Sequence, residues 1–546
     1  MFINKHYLAF NIFFICCLVV SILSAQSEQP LRVEIEVSAS ESYNIIPANK
    51  YGVLLFYNTN KNKDKYNNIW IFDFYDTEFD HKWTREMEIP AEFVYRKNVL
   101  SADKLYLYFE NLEGKSVPLK FKIMTINLKN NNCFTTSGEI NERLNISEFN
   151  VLNNKVILAG RSLPSKSTSV LQTVLTFTFI PAITNANLLK FHSSVYIYDL
   201  NTKIITNVDL KFKGQSWIEC LQIDTMRNDI VLISRNFIPS QYNALHITKI
   251  DTSGKLLNDF VLLSPDKNKK INTAKIINAS SQEKIIAGTY NNYVKGKMAN
   301  PAFTGFNEKS NGIFLSNINN DSITFIKFYN FYEFSDFFNS IYTVDNVKIK
   351  KKAVKQQQKG KEIAYNINLL FHNIIVRDNN YIVIAESYYP EYHSQYYTTY
   401  DYYGRPVTYS YMVFDGYRYT NALIACFNYE GKLLWEHGFK IWDILTYNLS
   451  EKVKVFFDNE DIVLAYGNAG TITSIVIRDN KIISDRDSYS LETNYPDRKS
   501  ISNYNNGLEY WYDNFFIYYG YQKIKTIYDA PSKNKTVFYF NKVAFN

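Results

Sequence analysis

Five side chains able to carry charge or shuttle a proton, Glu386, Glu391, His393, Asp401 and Asp415, fall within a span of 30 residues. Two carboxylates held on either side of a sugar ring, one protonated and one not, are what glycoside hydrolysis requires. Scattered polar residues in one loop fall short of a motif, and the rest of the chain adds no second signal. The seven histidines form neither an HExxH nor a His-x-His pair, and no two cysteines have metal-ligand spacing. A G-x-S-x-G elbow, a glycine-rich phosphate cradle and the acidic loop of a calcium site are likewise missing from the sequence. The expectation is a chain without cofactor or metal whose chemistry is recognition, with carbohydrate hydrolysis at these acids as the alternative.

The acids are embedded in "YYPEYHSQYYTTYDYYGRPVTYSYMVFDGYRYT", residues 388 to 420, which holds twelve tyrosines. A chain with 44 tyrosines in 546 residues would place about three in a stretch of that length. The stretch reads as a long β-hairpin turning near Gly404 to Pro406. Strand alternation would put Tyr396, Tyr400 and Tyr402 on one face of the first arm, with Tyr397 and Tyr403 on the other. Tyr409 and Tyr411 would share a face of the returning arm. Tyrosine offers a large rigid surface with few torsions to freeze and a hydroxyl that tolerates water. Together with Tyr388 and Tyr392 at the base and Arg405 at the tip, these rings are the expected contact surface for a protein or glycan partner. The same pattern admits a hairpin folded back over the body of the protein with its rings buried, because tyrosine is also a good strand former.

Short, strongly apolar runs preceded by a polar turn recur along the chain: "KYGVLLFYN", "ADKLYLYFE", "NNKVILAGR", "RNDIVLISR", "QEKIIAGTY", "DNNYIVIAES", "NEDIVLAYG" and "YDNFFIYYG". Runs of this kind suit strands covered on both faces. Most are followed by a strand, a polar turn and a second strand, as in "SVYIYDLNTKIITNVDL" and "GIFLSNINNDSITFIKF". The clearest echo pairs "NALHITKIDTSGKLLNDF" with "NALIACFNYEGKLLWEHGF", whose turn glycines Gly254 and Gly431 lie 177 residues apart. That distance is about four times the 40–45 residues of a four-stranded propeller blade, which predicts intervening copies. Small antiparallel sheets cannot bury their faces alone, and packing them radially supplies the missing core. The predicted fold is therefore all-β, a β-propeller of seven or eight blades over residues 26–546, with two β-sandwich domains as the alternative. "LRVEIEV" alternates like an outer strand, and the terminal "KTVFYFNKVAF" could pair with it to close the ring.

Three insertions break the period: residues 161–190, residues 345–362 and the tyrosine stretch at 387–420. The first is apolar and threonine-rich and reads as a cover for a blade. The second contains Lys348, Lys350, Lys351, Lys352 and Lys355, which a solvated linker explains and an anion site would use. At the N-terminus a lone Lys5, an apolar core from Ile12 to Val20 and small residues ending at Ala25 have the layout of a secretory signal over residues 1–25, and an uncleaved anchor helix is the alternative. Beyond it no second apolar run approaches membrane-spanning length, so no transmembrane span is expected in the mature chain. Cys133, Cys220 and Cys426 would then remain, an odd and sparse set that cannot be a disulfide framework. A formal net charge of +7 over the whole chain is too mild to imply nucleic acid.

At "AESYYPEY", "FDGYRYTNALIACFNYEGKLLWEHGF" and "IKKKAVKQQQKGKE…LLFHNIIV" the sequence resembles a family of exported, propeller-like proteins of Bacteroidota-type bacteria, over about the C-terminal third. The resemblance implies fold and compartment, periplasmic or outer-membrane associated, and carries over no catalytic residues. It also implies one possible partner, the type 9 secretion translocon approached from its periplasmic side. The leading expectation is a non-catalytic cell-envelope binding or scaffold protein that presents the tyrosine loop to a partner.

Overall fold

The computed structural model describes residues 30–545 apart from 38–40, 63–65, 112–117, 163–191, 213–214, 238–244, 281, 293–308, 321, 341–366, 494–497 and 527–533. The expected signal at 1–25, the apolar insertion from residue 163 on and the lysines Lys348, Lys350, Lys351, Lys352 and Lys355 lie outside the described residues, while residues 161 and 162 end a strand. Among those described, no helix is long and apolar enough to cross a membrane.

All eight apolar runs singled out above form the second strand of an antiparallel sheet, and the described residues contain eight such sheets. The second strands are buried because each has a neighbouring sheet on both sides; Val53 to Phe56 and Val156 to Ala159 are wholly inaccessible. Fourth strands are far more exposed, as in Lys481–Ser490, where charged side chains reach water. Hydrophobic clusters unite successive sheets in order: first with second, second with third, and so on to seventh with eighth. A last cluster, with Tyr43, Val53, Trp511 and Phe538, joins the eighth sheet back to the first. This cyclic order of cores is the signature of a propeller, and it excludes the two-sandwich alternative.

Closure uses both ends of the chain. The strand Arg32–Glu36 pairs antiparallel with the last strand, Asn534–Ala544, as the outermost strand of the eighth sheet. The Arg32 guanidinium lies 4.0 Å from the Tyr539 ring centre and donates to Gln522 Oε1 at 2.6 Å. The chain therefore cannot open its ring without breaking a sheet.

One inference from spacing fails. Gly254 and Gly431 belong to the fourth and sixth sheets, two apart, not four. Long connections, including residues 341–366 and the tyrosine hairpin, stretch the intervening sequence.

Strand order also fixes where insertions emerge. Chain direction alternates within each sheet, so connections from second to third strand and from one sheet to the next all leave by one face of the ring. Strands Lys155–Ser162 and Ser193–Asp199, which flank 163–191, are the second and third of the third sheet. The tyrosine hairpin likewise joins the second and third strands of the sixth, and 341–366 lies between the fifth and sixth sheets. All three insertions thus start and end on the same face.

Candidate functional site

The hairpin consists of strands Asn380–Tyr400 and Pro406–Asn428, 21 and 23 residues long. Its lower part belongs to the sixth sheet, where pairing with the first and fourth strands ends at Tyr388 and Asn421. Register shifts at Ser387/Tyr388 and Glu391/Tyr392 bend the arms, and from the Tyr392–Phe414 pair to Tyr400–Pro406 only two strands remain. At about 3.4 Å per residue that ribbon extends about 27 Å beyond the last shift.

Its tip reuses a turn of the scaffold. Asp401 Oδ1 accepts from the N–H groups of Tyr403 and Arg405 at 2.9 and 2.8 Å, and Gly404 takes φ +71°. Asp251 with Gly254 and Asn428 with Gly431 build the same side-chain-capped loop. The sequence pattern Asp/Asn-x-x-Gly-Lys/Arg encodes it, since the short side chain mimics a turn and glycine alone enters the left-handed region without penalty.

Tyr397 pairs directly with Tyr409, their ring centres 5.4 Å apart and nearly parallel, and lies 6.0 Å from Tyr411, whose hydroxyl donates to Gln395 Oε1 at 2.8 Å. The opposite face carries Tyr392 against Phe414 at 5.4 Å, then Tyr396 and Tyr400. Both faces are aromatic, and Tyr396, Tyr400 and Tyr403 are more than two-thirds exposed. The folded-back arrangement is therefore not adopted. Cross-strand aromatic pairs, each contributing about 0.2–1 kcal/mol, support a ribbon that lacks a covering layer.

Two details of the expected site need correction. Tyr388 is 4% exposed and packs edge-on to Tyr417 in the core between the sixth and seventh sheets, so it is no part of the ribbon surface. The strand alternation stops at Tyr400, so Tyr402 and Tyr403 belong to the turn, where Tyr402 is 98% exposed and Arg405 lies over the Tyr403 ring at 5.6 Å.

The acids do not converge. Glu386 is wholly buried; its Oε1 meets His372 Nε2 at 2.7 Å and accepts from the N–H groups of Lys452 and Val453 at 2.8 Å. Glu391 binds Arg418 in a fork, and Arg418 also donates to Asp443 at 2.8 Å; hydrogen bonding to Glu391 holds the guanidinium pKa up. Asp401 caps the turn, and His393 pairs with Asp415 at 2.5 Å on the exposed ribbon. Cys133, Cys220 and Cys426 are free thiols, and among the described residues no group of three or more His, Cys, Asp or Glu could hold a metal ion.

Sequence reasoning missed the platform beneath the ribbon. Leu445–Thr446 pairs with Tyr417 and Arg418, and exposed Trp442 and Tyr447 flank it, Tyr447 lying 6.4 Å from Phe414. These residues sit in the connection from the sixth to the seventh sheet, and its solitary aromatics carry no periodic signal.

No family model matches the chain, and no curated protein matches it. Among solved structures it is similar to the polysaccharide lyase Uly1, at 9% identity and TM-score 0.40, over 82% of this chain and 89% of that one. It is also similar to the β-propeller domain of the Trilobed protease from Pyrococcus furiosus, at 8% identity and TM-score 0.33, over 81% and 95%. An acylaminoacyl peptidase of Pyrococcus horikoshii matches at 8% identity and TM-score 0.32, over 81% of this chain and 52% of that one. The fold itself follows from this chain's own sheet order and its ring of cores.

Proposed function

We propose that the protein is a non-catalytic binding or scaffold protein of the bacterial cell envelope that engages a protein partner through the tyrosine ribbon. One observation carries the reading: a two-stranded ribbon about 27 Å long stands clear of its sheet with tyrosines exposed on both faces. Projecting aromatics fit a partner that wraps or clasps the ribbon, whereas a glycan site would gather its rings around a hollow. Separate engagement of Glu386, Glu391, Asp401 and the His393–Asp415 pair favours binding over hydrolysis at this loop. Export to the periplasm or outer membrane is supported by the N-terminal sequence pattern.

The test is a pull-down from envelope extract with full-length protein and with a variant lacking residues 393–413. The shortened protein is expected to keep its fold, because Asp401 and the ribbon rings contribute nothing to the propeller cores, and to lose the partner. Equal recovery of the same partner by both proteins would remove the ribbon from the interface.

A further inference from the structure

Two adjoining cavities of about 400 and 340 Å³ lie where the innermost strands converge. Their walls come from the first strands of six sheets: Glu148 and Asn150 from the third, Gln222 from the fourth, Lys275 from the fifth, Leu370 from the sixth, Lys454 from the seventh and Glu509 from the eighth. They therefore lie on the axis of the ring. Lys275 and Glu451 border both.

The walls are polar and underused. Among the described residues, the side chains of Glu148, Asn150, Lys275, Asn373 and Glu451 make no hydrogen bond or ion pair within the protein. Asn373 and Glu451 are exposed and Glu148, Asn150 and Lys275 half-buried, so water satisfies these groups in the free protein and a ligand entering the recess would take over those bonds. Burial pushes the Glu148 carboxyl up, while the nearby Lys275 and Lys97 ammonium groups pull it back. The backbone on either side of Glu451 is held, since the N–H groups of Lys452 and Val453 donate to Glu386 and Ser450 exchanges hydrogen bonds with the Tyr419 hydroxyl.

Charge and hydrogen-bonding character select the occupant. Lys454 and Glu509 cancel at 2.9 Å, and the other charged groups of the lining are Lys275, Glu148, Glu451 and Lys452, whose Nζ donates to Ser450 Oγ at 2.9 Å. A balanced lining prefers neither anion nor cation. It supplies acceptors in the carboxylates, a donor in the ammonium and both functions in the amides, which is what adjacent hydroxyl groups need. The volumes fall in the range of small-molecule sites, about 300–1,000 Å³.

We propose that the axial cavity binds a neutral polyhydroxylated ligand the size of a mono- or disaccharide, with Glu148 and Glu451 accepting from its hydroxyls, Lys275 donating, and Asn150 and Asn373 closing the remaining bonds. This site is separate from the ribbon, although Glu451 belongs to the connection that braces the ribbon's base.

Saturation-transfer NMR on the full-length protein with glucose, galactose, N-acetylglucosamine, maltose, cellobiose and lactose tests the proposal. At least one sugar should receive saturation on its ring protons. Glu148→Gln and Lys275→Met should each weaken its Kd about tenfold or more, with far-UV circular dichroism and melting unchanged in form, and Lys275→Arg should retain part of the affinity. The variant lacking residues 393–413 should bind as the intact protein does. Absence of transfer from all six sugars would leave a water-filled channel and overturn the proposal, as would binding that ignores both lining substitutions or disappears with the ribbon.

Discussion

Replacing Glu386 with alanine removes the single oxygen shared by the His372 ring at 2.7 Å and the backbone N–H groups of Lys452 and Val453 at 2.8 Å. Hydrogen bonds to an ionised acceptor contribute about 1.5–3 kcal/mol each, so the gross loss is about 5–9 kcal/mol. The same change relieves the desolvation of a wholly buried carboxylate, worth several kcal/mol, and its second oxygen has no partner to lose. The net cost is about 3–5 kcal/mol, the range found when one member of a buried pair is removed. It falls on one connection, so hydrogen exchange at Lys452 and Val453 should accelerate about 100- to 4,000-fold, at about 1.4 kcal/mol per factor of ten. Glu386→Gln keeps a carbonyl oxygen for the two N–H groups and should accelerate exchange about tenfold or less. Acceleration below about threefold in Glu386→Ala would mean that the connection is held by other contacts, and the assignment of Glu386 as its clamp would fail.

Three further outcomes are expected. Glu148→Gln should stabilise the protein at neutral pH: burial raises the folded-state carboxyl above its unfolded value, so the wild type loses stability as pH rises through that interval, and urea melts of the two proteins should converge as pH falls below the ordinary carboxylate range. The triple change Tyr397→Ser, Tyr409→Ser, Tyr411→Ser removes two ring contacts and should cost about 2 kcal/mol or less, confined to the ribbon, while partner affinity measured by surface plasmon resonance falls at least about tenfold. Gly404→Ala should cost about 1–2 kcal/mol for its left-handed backbone alone, with nothing within 4 Å of the new methyl group, a cost confined to the ribbon and read by hydrogen exchange there, whereas Gly431→Ala should cost about 1–3 kcal/mol more and lower stability in urea melts because its methyl would lie 2.7 Å from the Phe325 ring.

The scaffold was readable because its rules are local. A strand covered on both sides needs an unbroken apolar run, and all eight runs became second strands. The turn chemistry of Asp251, Asp401 and Asn428 was equally plain, since a capping oxygen and a left-handed glycine act over five residues. The alternating N-terminal strand and its partner at the other end could be matched by pattern alone. Spacing misled where insertions lengthened the chain without adding sheets, as between Gly254 and Gly431.

By itself, then, the sequence determined which segments are strands, how their turns close and that tyrosine is concentrated in one hairpin. Tertiary structure decided the rest: that Tyr388 lies in the core while Tyr402 stands in water, that Glu386 clamps a neighbouring connection, and that Glu148, Lys275 and Glu451 meet on the axis. Periodicity records which face of a strand is covered, but side chains more than a hundred residues apart are brought together only by the angle between neighbouring sheets and the closure of the ring, which no local pattern contains.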